Sequence, residues 1–313
     1  MTLTKIDNLV VPEIFDKYFS EQSIYKNAFV QSGIVQPSAD LARLVGMGGT
    51  TGNIPFYQDI TGDSEIISES ADLSVNSISA DKEIYARIAR GKAWGATDLA
   101  MEMSGDDPMR AIGDRVSDFW TRDLSKVLVN ELTGLFSNST MSGLVSDTSA
   151  IITASAVVDA KTLLGDNAGK ISVMAVHSKT FAVLQKEQLI TYLRNAEYNI
   201  DFPMYLGMNV VIDDTLPVDV TYGKYTSYLF TPGSVIYGGN VAPVPSETDR
   251  DSLGSADYLI TRMSYALHPR GTSVDISGIS GATPTNAELA GDIWTRKWET
   301  KNMGIVKYVH TIV

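Results

Sequence analysis

The fold is organised on one segment, Asp106 to Asn138, with the sequence DDPMRAIGDRVSDFWTRDLSKVLVNELTGLFSN. The opening Asp-Asp-Pro places an acidic cap before a proline at the first helical position, where proline loses no intrahelical hydrogen bond. Apolar residues then recur at helical spacing with charged residues between them, and Gly134 with the polar run after it predicts the end. The pattern predicts a helix of about thirty residues, roughly 45 Å long. A sheet or a neighbouring subunit must cover an apolar stripe of that length.

The whole chain has the composition of a globular protein with room for a large core, which we expect to form two lobes. Its 313 residues are 44% hydrophobic, and its mean hydropathy is close to zero. The absence of cysteine excludes disulfides and thiol chemistry and fits a reducing cytoplasm. No apolar run has the length of a signal peptide or a membrane span, so the sequence predicts neither.

The formal charge of −12 argues against a surface devoted to the nucleic-acid backbone. Phosphate binding needs clustered Lys and Arg, whereas acidic residues outnumber basic ones here by 37 to 25. We therefore expect the protein to repel DNA on balance.

The segment from Val11 to Val30 predicts an amphipathic N-terminal helix. It carries an aromatic-rich face at helical spacing, and Gly33 and Pro37 end it. Because its polar face is mostly acidic, docking on protein is favoured over docking on a lipid surface.

The segment from Gly46 to Trp94 predicts one long hairpin arm. A glycine-rich start leads into a strand-like stretch, Asn53–Tyr57, and then into a crown rich in Ser, Gly and Asp. The chain returns along Ile84–Trp94, which alternates like a strand over its first half. An isolated two-stranded ribbon is at best marginally stable in water, so an arm this long must lie on something outside its own lobe. An identical subunit is the expected surface, and a solvated flexible loop is the alternative.

Charge along this arm is one-sided. No basic residue lies between Arg43 and Lys82, and the returning strand carries the missing positive charge. We expect the two charges to complement one another between copies, with each exposed pair contributing about 0 to 1 kcal/mol. The predicted contacts between subunits are Asp59, Asp63, Glu65, Glu69, Asp72, Arg87, Arg90 and Lys92.

The rest of the chain mixes helices and strands without strict alternation, which is typical of the α+β class. The sequence predicts a strand, helix, strand unit and then a tight hairpin about Pro232-Gly233. The predicted elements are a helix at Ser155–Leu164, a strand at Ile171–Val176, a helix capped by His177-Ser178, and strands at Met208–Ile212, Tyr225–Thr231, Ser234–Tyr237, Tyr258–His268 and within Trp294–Val313.

A search for catalytic motifs finds none. No P-loop, dinucleotide fingerprint or Gly-x-Ser-x-Gly elbow is present. His177, His268 and His310 lack the spacing of metal ligands, so each is expected to cap or pack. Asp213-Asp214 follows a strand and precedes Thr-Leu-Pro, which favours a turn. The sequence predicts no catalytic residue, no metal and no cofactor.

Three segments in this order carry a resemblance. They are Leu206–Pro217, with a glycine, a strand, a polar turn and a proline; Glu247–Gly271, where an Arg-Asp pair precedes a long strand that ends near a glycine; and Asn286–Leu289 before a Trp-rich final run. With the arm and the long helix, the chain resembles the major capsid proteins of tailed bacteriophages, which have the Hong Kong 97-like fold.

The resemblance implies a division of the chain. Residues 1–45 would be the N-arm, 46–100 the extended loop, 101–149 the peripheral domain with its spine helix, 150–270 the axial domain and 271–313 a return to the peripheral domain.

The resemblance also implies a mechanical function. Copies would form hexamers and pentamers, assemble in the host cytoplasm and close into the icosahedral shell of a virion around double-stranded DNA. A separate scaffolding protein is implied, because folded-looking sequence starts near Val11, with a portal as a further partner. Whether decoration proteins bind outside stays open.

Two alternatives remain at this stage. An encapsulin, a nanocompartment with the same fold and an enzyme cargo, would share the architecture. A hydrolase or carbohydrate-active enzyme would use Asp213 or Asp214 with His177 or His268.

Overall fold

The computed structural model describes residues 26–58, 62–67, 72–75, 77–105, 108–195, 200–239 and 242–312. The α-helices in these ranges are α1 Ala28–Gln31, α2 Ala39–Gly46, α3 Asp98–Ser104, α4 Pro108–Leu135, α5 Ala154–Thr162, α6 Ser178–Lys186 and α7 Asn286–Leu289. Short 3-10 turns lie at Ser139–Leu144, Gly165–Lys170, Ile276–Gly278 and Thr300–Asn302. The predicted N-terminal helix lies almost wholly outside the described residues, which include only α1 at its end.

The strands in the same ranges belong to two large sheets and two small ones. In chain order they are β1 Val35–Pro37, β2 Thr51–Tyr57, β3 Ala80–Ala86, β4 Ile88–Thr97, β5 Val145–Ile151, β6 Val173–Val176, β7 Thr191–Asn195, β8 Ile200–Tyr205, β9 Met208–Ile212, β10 Val218–Asp219, β11 Lys224–Phe230, β12 Val235–Gly238, β13 Ser246–Asp251, β14 Ala256–Pro269, β15 Thr272–Val274, β16 Trp294–Arg296 and β17 Ile305–Thr311. Helices and strands are mixed, as the α+β prediction requires.

The long helix α4 is confirmed at 28 residues, beginning at Pro108. The predicted cap, Asp106-Asp107, lies outside the described residues. Burial deepens toward the C-terminal end of α4, where Val127, Leu128 and Leu132 are inaccessible to solvent. Gly134 lies inside the helix, and a Cβ there would clash with the carbonyl oxygens of Leu289 and Gly291. The glycine is therefore needed for the close approach of α7.

The five-stranded sheet is organised on β14, the longest strand. β4 pairs antiparallel with β14 along one edge over ten residues, from Thr97 opposite Ala256 to Ile88 opposite Tyr265. β13 and then β12 pair with its other edge, and β1 adds parallel to β12. Trp120 of α4 donates from its indole nitrogen to the Thr261 hydroxyl at 3.1 Å, which seats the helix on this sheet.

The eight-stranded sheet has the order β5-β17-β11-β6-β9-β8-β7, with β10 paired to β11. β6 and β9 are parallel, so the predicted strand, helix, strand unit is confirmed with α6 as its helix. The β7–β8 hairpin between α6 and β9 is not predicted from the sequence. His177 caps α6 as expected, accepting from the backbone N–H of Lys179.

The predicted hairpin of Tyr225–Thr231 with Ser234–Tyr237 is wrong. Both strands exist, but β11 pairs with β17 and β6, whereas β12 pairs with β14 and β1. The turn at Pro232-Gly233 therefore passes the chain from one sheet to the other. Two adjacent β-rich runs look the same in sequence whether or not they pair with each other.

Candidate subunit interface

The β2–β3 hairpin is a two-stranded sheet of its own, with Thr51 opposite Ala86 and Tyr57 opposite Ala80. Beyond the last strand pair, the Gln58 amide donates to the Ser79 carbonyl oxygen at 2.9 Å, so the ladder continues into the tip. We call residues 58–79 the crown. Its described residues, 58, 62–67, 72–75 and 77–79, are exposed throughout.

The crown exposes large apolar side chains together with acidic ones. Ile66 is 95% exposed and Val75 98% exposed, and Ile67, Leu73 and Ile78 are also open to solvent. Such side chains are normally covered in a soluble protein, and clustered exposure marks an interaction surface. The crown is rich in Ser, Gly and Asp as predicted, and the structure adds that its apolar side chains are exposed as well.

Three of the predicted acidic contacts, Asp63, Glu65 and Asp72, lie on the exposed crown. Asp59 and Glu69 lie outside the described residues. Glu65 accepts from both the hydroxyl and the backbone N–H of Ser74, and these hydrogen bonds lower the pKa of its carboxyl. The crown therefore presents negative charge to a partner at neutral pH.

The base of the hairpin is fixed to the body. Glu83 is buried and lies 3.1 Å from Nε2 of the buried His268, and its other carboxylate oxygen accepts from the Gly271 amide at 3.2 Å. Phe56 packs edge-on against Trp298, with ring centroids 6.3 Å apart. The hairpin thus projects from a rigid base.

The predicted basic returning strand is only partly in the hairpin. The returning chain leaves its partner strand after Ala86, and β4 then joins β14 in the body. Arg90 and Lys92 therefore lie on the five-stranded sheet, which corrects their placement on the arm, whereas Arg87 lies between the two strands and its amide still donates to the Thr50 carbonyl oxygen at 2.9 Å, at the base of the hairpin. The strand-like alternation in the sequence continues across Arg87 because the segments before and after it are both strands.

These basic residues border a groove of about 570 Å³. Its floor is small and apolar, from Ala89, Gly91 and Ala93 of β4 and Ile260 of β14. Arg262, opposite Gly91, lies on the face of these small residues and pairs with Glu247 at 3.0 Å, whereas Lys92, opposite Thr261, lies on the face toward α4. Arg262 was not singled out from the sequence. The place of Arg262 in the groove follows only from the β4–β14 register, which sets Arg262 opposite Gly91.

Within the body, Arg87 and Arg90 also have contacts of their own. Arg87 donates to the Ser264 hydroxyl at 2.7 Å, and Arg90 donates to the Pro284 carbonyl oxygen at 2.6 Å. The Arg87 guanidinium is therefore held against β14, and the Arg90 guanidinium against the segment before α7.

Asp213, Asp214 and His177, which were considered as catalytic candidates, form a turn or cap a helix. Asp213 accepts from the Thr215 amide, a turn as predicted, and Asp214 accepts from the Ser178 amide at the start of α6. Asp214 lies 3.6 Å from Nδ1 of His177, so the structure does bring these two together. Both ring and carboxylate are engaged by backbone N–H groups of the same helix start, which is a capping arrangement.

His268 and His310 are buried in different sheets. His268 faces Glu83, and His310 lies 3.0 Å from the Ser227 hydroxyl between the rings of Tyr225 and Tyr308. Among the described residues no three His, Asp or Glu side chains lie together as metal ligands would. The helices in the described ranges include none that is both long enough and apolar enough to span a membrane.

The sequence relative decides the family. The chain is 38% identical to the major capsid protein of Bacillus phage SPP1 over 322 aligned residues, which cover 100% of this chain and 99% of that one. The chain belongs to the phage major capsid protein family. No protein-family profile matches it.

Solved structures share the fold at low sequence identity. The capsid asymmetric unit of cyanophage Pam1 superposes with a TM-score of 0.60 at 12% identity, covering 92% of this chain and 93% of that one. An encapsulin complex from Synechococcus elongatus superposes with a TM-score of 0.51 at 11% identity, covering 91% and 87%. The Hong Kong 97-like fold predicted from the sequence is therefore confirmed. Because the encapsulin shares it, the capsid assignment rests on the full-length relative.

Proposed function

We propose that this major capsid protein assembles into hexamers and pentamers that close into an icosahedral shell around double-stranded DNA. The observation that carries the proposal is the crown, which lies beyond the paired part of the β2–β3 hairpin and exposes Ile66 and Val75 to solvent. A surface of that kind is stable only when a second copy covers it. The net charge of −12 supports a shell that encloses DNA without binding it tightly.

The contact we propose is between the crown of one copy and the groove of the next. The crown is negative through Asp63, Glu65 and Asp72, whereas Arg87, Lys92 and Arg262 border the groove. Asp59 and Glu69 extend the negative run in sequence, and Arg90 extends the positive one. Small residues on the groove floor leave room for the branched apolar side chains of the crown. Apolar burial then supplies affinity, and charge fixes register.

The two large sheets suggest how the subunit divides. We assign the eight-stranded sheet to the axial domain, and α4 with the five-stranded sheet to the peripheral domain. Under this assignment residues 235–269 are peripheral and residues 305–311 axial, which differs from the boundaries expected from the sequence. The hairpin is the extended loop. A scaffolding protein and a portal are the proposed partners, and assembly takes place in the host cytoplasm.

Charge exchange tests the crown–groove contact. The crown variant Asp63→Lys with Asp72→Lys, and the groove variant Lys92→Glu with Arg262→Glu, are each expected to fold and to lose closed shells in electron micrographs and sedimentation. Each exposed pair contributes only about 0 to 1 kcal/mol, but the loss repeats at every subunit. Combining the two variants is expected to restore shells.

The control is Asp159→Lys with Glu187→Lys, which changes the net charge as the crown variant does, at exposed positions on or beside helices α5 and α6. It is expected to assemble normally. Shells from the crown variant as abundant as those of the wild type would contradict the proposed contact. A wild-type protein that stayed monomeric at high concentration, with its partners supplied, would contradict the shell function itself.

A further inference from the structure

Glu131 is a buried acid in the most buried part of α4. Its side chain is 0% exposed, and neither carboxylate oxygen has a hydrogen-bond partner among the described residues. Burial raises the pKa of the carboxyl well above its usual range, and the charge of Arg90 opposes that shift only in part. An isolated buried carboxylate is far costlier than a buried carboxylic acid. Burial without hydrogen-bond partners therefore favours the neutral acid at Glu131 in this conformation.

Other buried polar groups near Glu131 also lack hydrogen-bond partners. Among the described residues, the hydroxyls of Tyr237 and Tyr265 and one carboxylate oxygen of Asp123 have no hydrogen-bond partner. Burial raises the pKa of Tyr265, and the negative charges of Asp123 and Glu131 raise it further. Burial likewise raises the pKa of Asp123, against the charges of Arg90 and Lys126. The cluster is thus poor in compensating charge.

The charged groups on the other elements packed on α4 have partners of their own. On β14, Arg262 pairs with Glu247 at 3.0 Å, and His268 lies 3.1 Å from Glu83. On α7, the Glu288 carboxylate accepts from Ser280 and Thr285. On β16, Arg296 donates to the Thr300 hydroxyl. Arg90 of β4 reaches the same region, because it donates to Asn286 of α7, and α7 packs on Gly134, three residues along α4 from Glu131.

Arg90 itself is bound only to neutral acceptors in the contacts that the structure shows. It donates to the carbonyl oxygens of Ala89 and Pro284, at 3.2 and 2.6 Å, and to the Asn286 side-chain oxygen at 3.2 Å. Hydrogen bonds from a guanidinium to a carboxylate are roughly twice as strong as those between neutral groups. An ionised Glu131 would therefore compete for Arg90.

We propose that Glu131 and Arg90 form a proton-coupled switch between two conformations of the chain. In the conformation described here, Glu131 is a neutral acid and Arg90 holds the segment from Pro284 to Asn286 against β4. In the second, Glu131 gives its proton to solvent and pairs with Arg90, which releases that segment. One proton leaves per chain, so rising pH favours the second conformation. The switch lies within one chain and does not rest on the crown–groove contact.

Hydrogen exchange read by mass spectrometry tests the switch in the full-length protein. From about pH 5 to about pH 9, after correction for the intrinsic chemical rate, a peptide spanning 284–290 is expected to lose protection, whereas one spanning 88–97, which stays paired with β14, is expected to keep it. The loss is up to about tenfold per pH unit through the transition. A peptide spanning β11 is expected to keep its protection.

Two variants and one control separate the switch from a general loosening. Glu131→Gln, which keeps the shape of the neutral acid, is expected to stay protected at every pH. Arg90→Gln is expected to leave 284–290 unprotected at every pH. Glu102→Gln, an exposed acid on α3, is expected to behave as wild type.

Wild-type protection at 284–290 that does not change with pH would overturn the proposal, whether or not the variants fold. An Arg90→Gln protein with the wild-type pH profile, or a Glu131→Gln protein with that profile, would also overturn it.

Discussion

The β2–β3 hairpin and strand β4 are consecutive in the chain, yet their surroundings are opposite. Each hairpin strand has one partner, and the tip beyond them exposes Ile66 and Val75. β4 pairs with β14 over ten residues, and its Trp94 packs edge-on against Phe119 of α4 at 5.3 Å. Strand-like alternation therefore indicates the conformation of a segment but not the surface that covers it. The body should therefore determine subunit stability, and the hairpin should determine assembly.

The largest expected effect in the body is at Trp120, which is 2% exposed between α4 and β14. Trp120→Ala removes a large buried side chain and is expected to lower the free energy of unfolding by about 3 to 5 kcal/mol. Denaturant unfolding of the unassembled subunit measures it. Trp120→Phe, which mainly removes the hydrogen bond to Thr261, is the milder control. The comparison fails if Trp120→Ala costs no more than Val75→Ser at the crown.

A pH effect of intermediate size is expected at His310 in β17. Burial lowers the pKa of its imidazole to about 4, so the folded state resists a proton that the unfolded chain accepts near its usual pKa of 6.5. Stability is complete above pH 6.5 and falls as pH drops toward 4, by about 3 kcal/mol.

His310→Asn removes the titrating ring while keeping a polar side chain beside Ser227. Unfolding curves across this pH range are expected to show a shallower loss for the variant. If the free energy of unfolding falls with pH as steeply in the variant as in the wild type, titration of His310 is not the cause of the loss.

The smallest expected effect is at the joint between the two regions, where Phe56 meets Trp298. An edge-to-face aromatic pair contributes about 0.5 to 1.5 kcal/mol beyond the area it buries. A double-mutant cycle of Phe56→Leu and Trp298→Leu is expected to give a coupling energy of about 1 kcal/mol. A coupling of zero would mean that the hairpin is fixed by Glu83 and His268 without help from the rings.

Much of the fold was accessible from local patterns. Pro108 and the apolar stripe predict α4, and the alternation across Tyr258–His268 predicts β14, because both signals lie within one element. The predictions that failed concern pairing. The chain passes from one sheet to another at Pro232-Gly233, and it leaves the hairpin for the five-stranded sheet at Arg87. Neither change alters the local alternation of apolar and polar residues, because the chain is a strand on both sides.

The candidate interface was predictable in its charges and not in its geometry. The lack of basic residues from 44 to 81 is visible in the sequence, and it identifies the negative partner. Arg262 joins Arg87 and Lys92 only through the β4–β14 register, which brings together residues about 170 positions apart. Glu131 gives no sequence signal, because a glutamate within a helix ordinarily faces solvent.

The position of β17 has a consequence for synthesis on the ribosome. This strand is the last of its sheet in the chain, yet it lies between β5 and β11, with seven residue pairs to β11 alone. Until residues 305–311 have been translated, β5 has no neighbour and one edge of β11 stays open. A nascent chain therefore cannot complete this sheet until translation has passed that strand, so the sheet closes only at the end of synthesis.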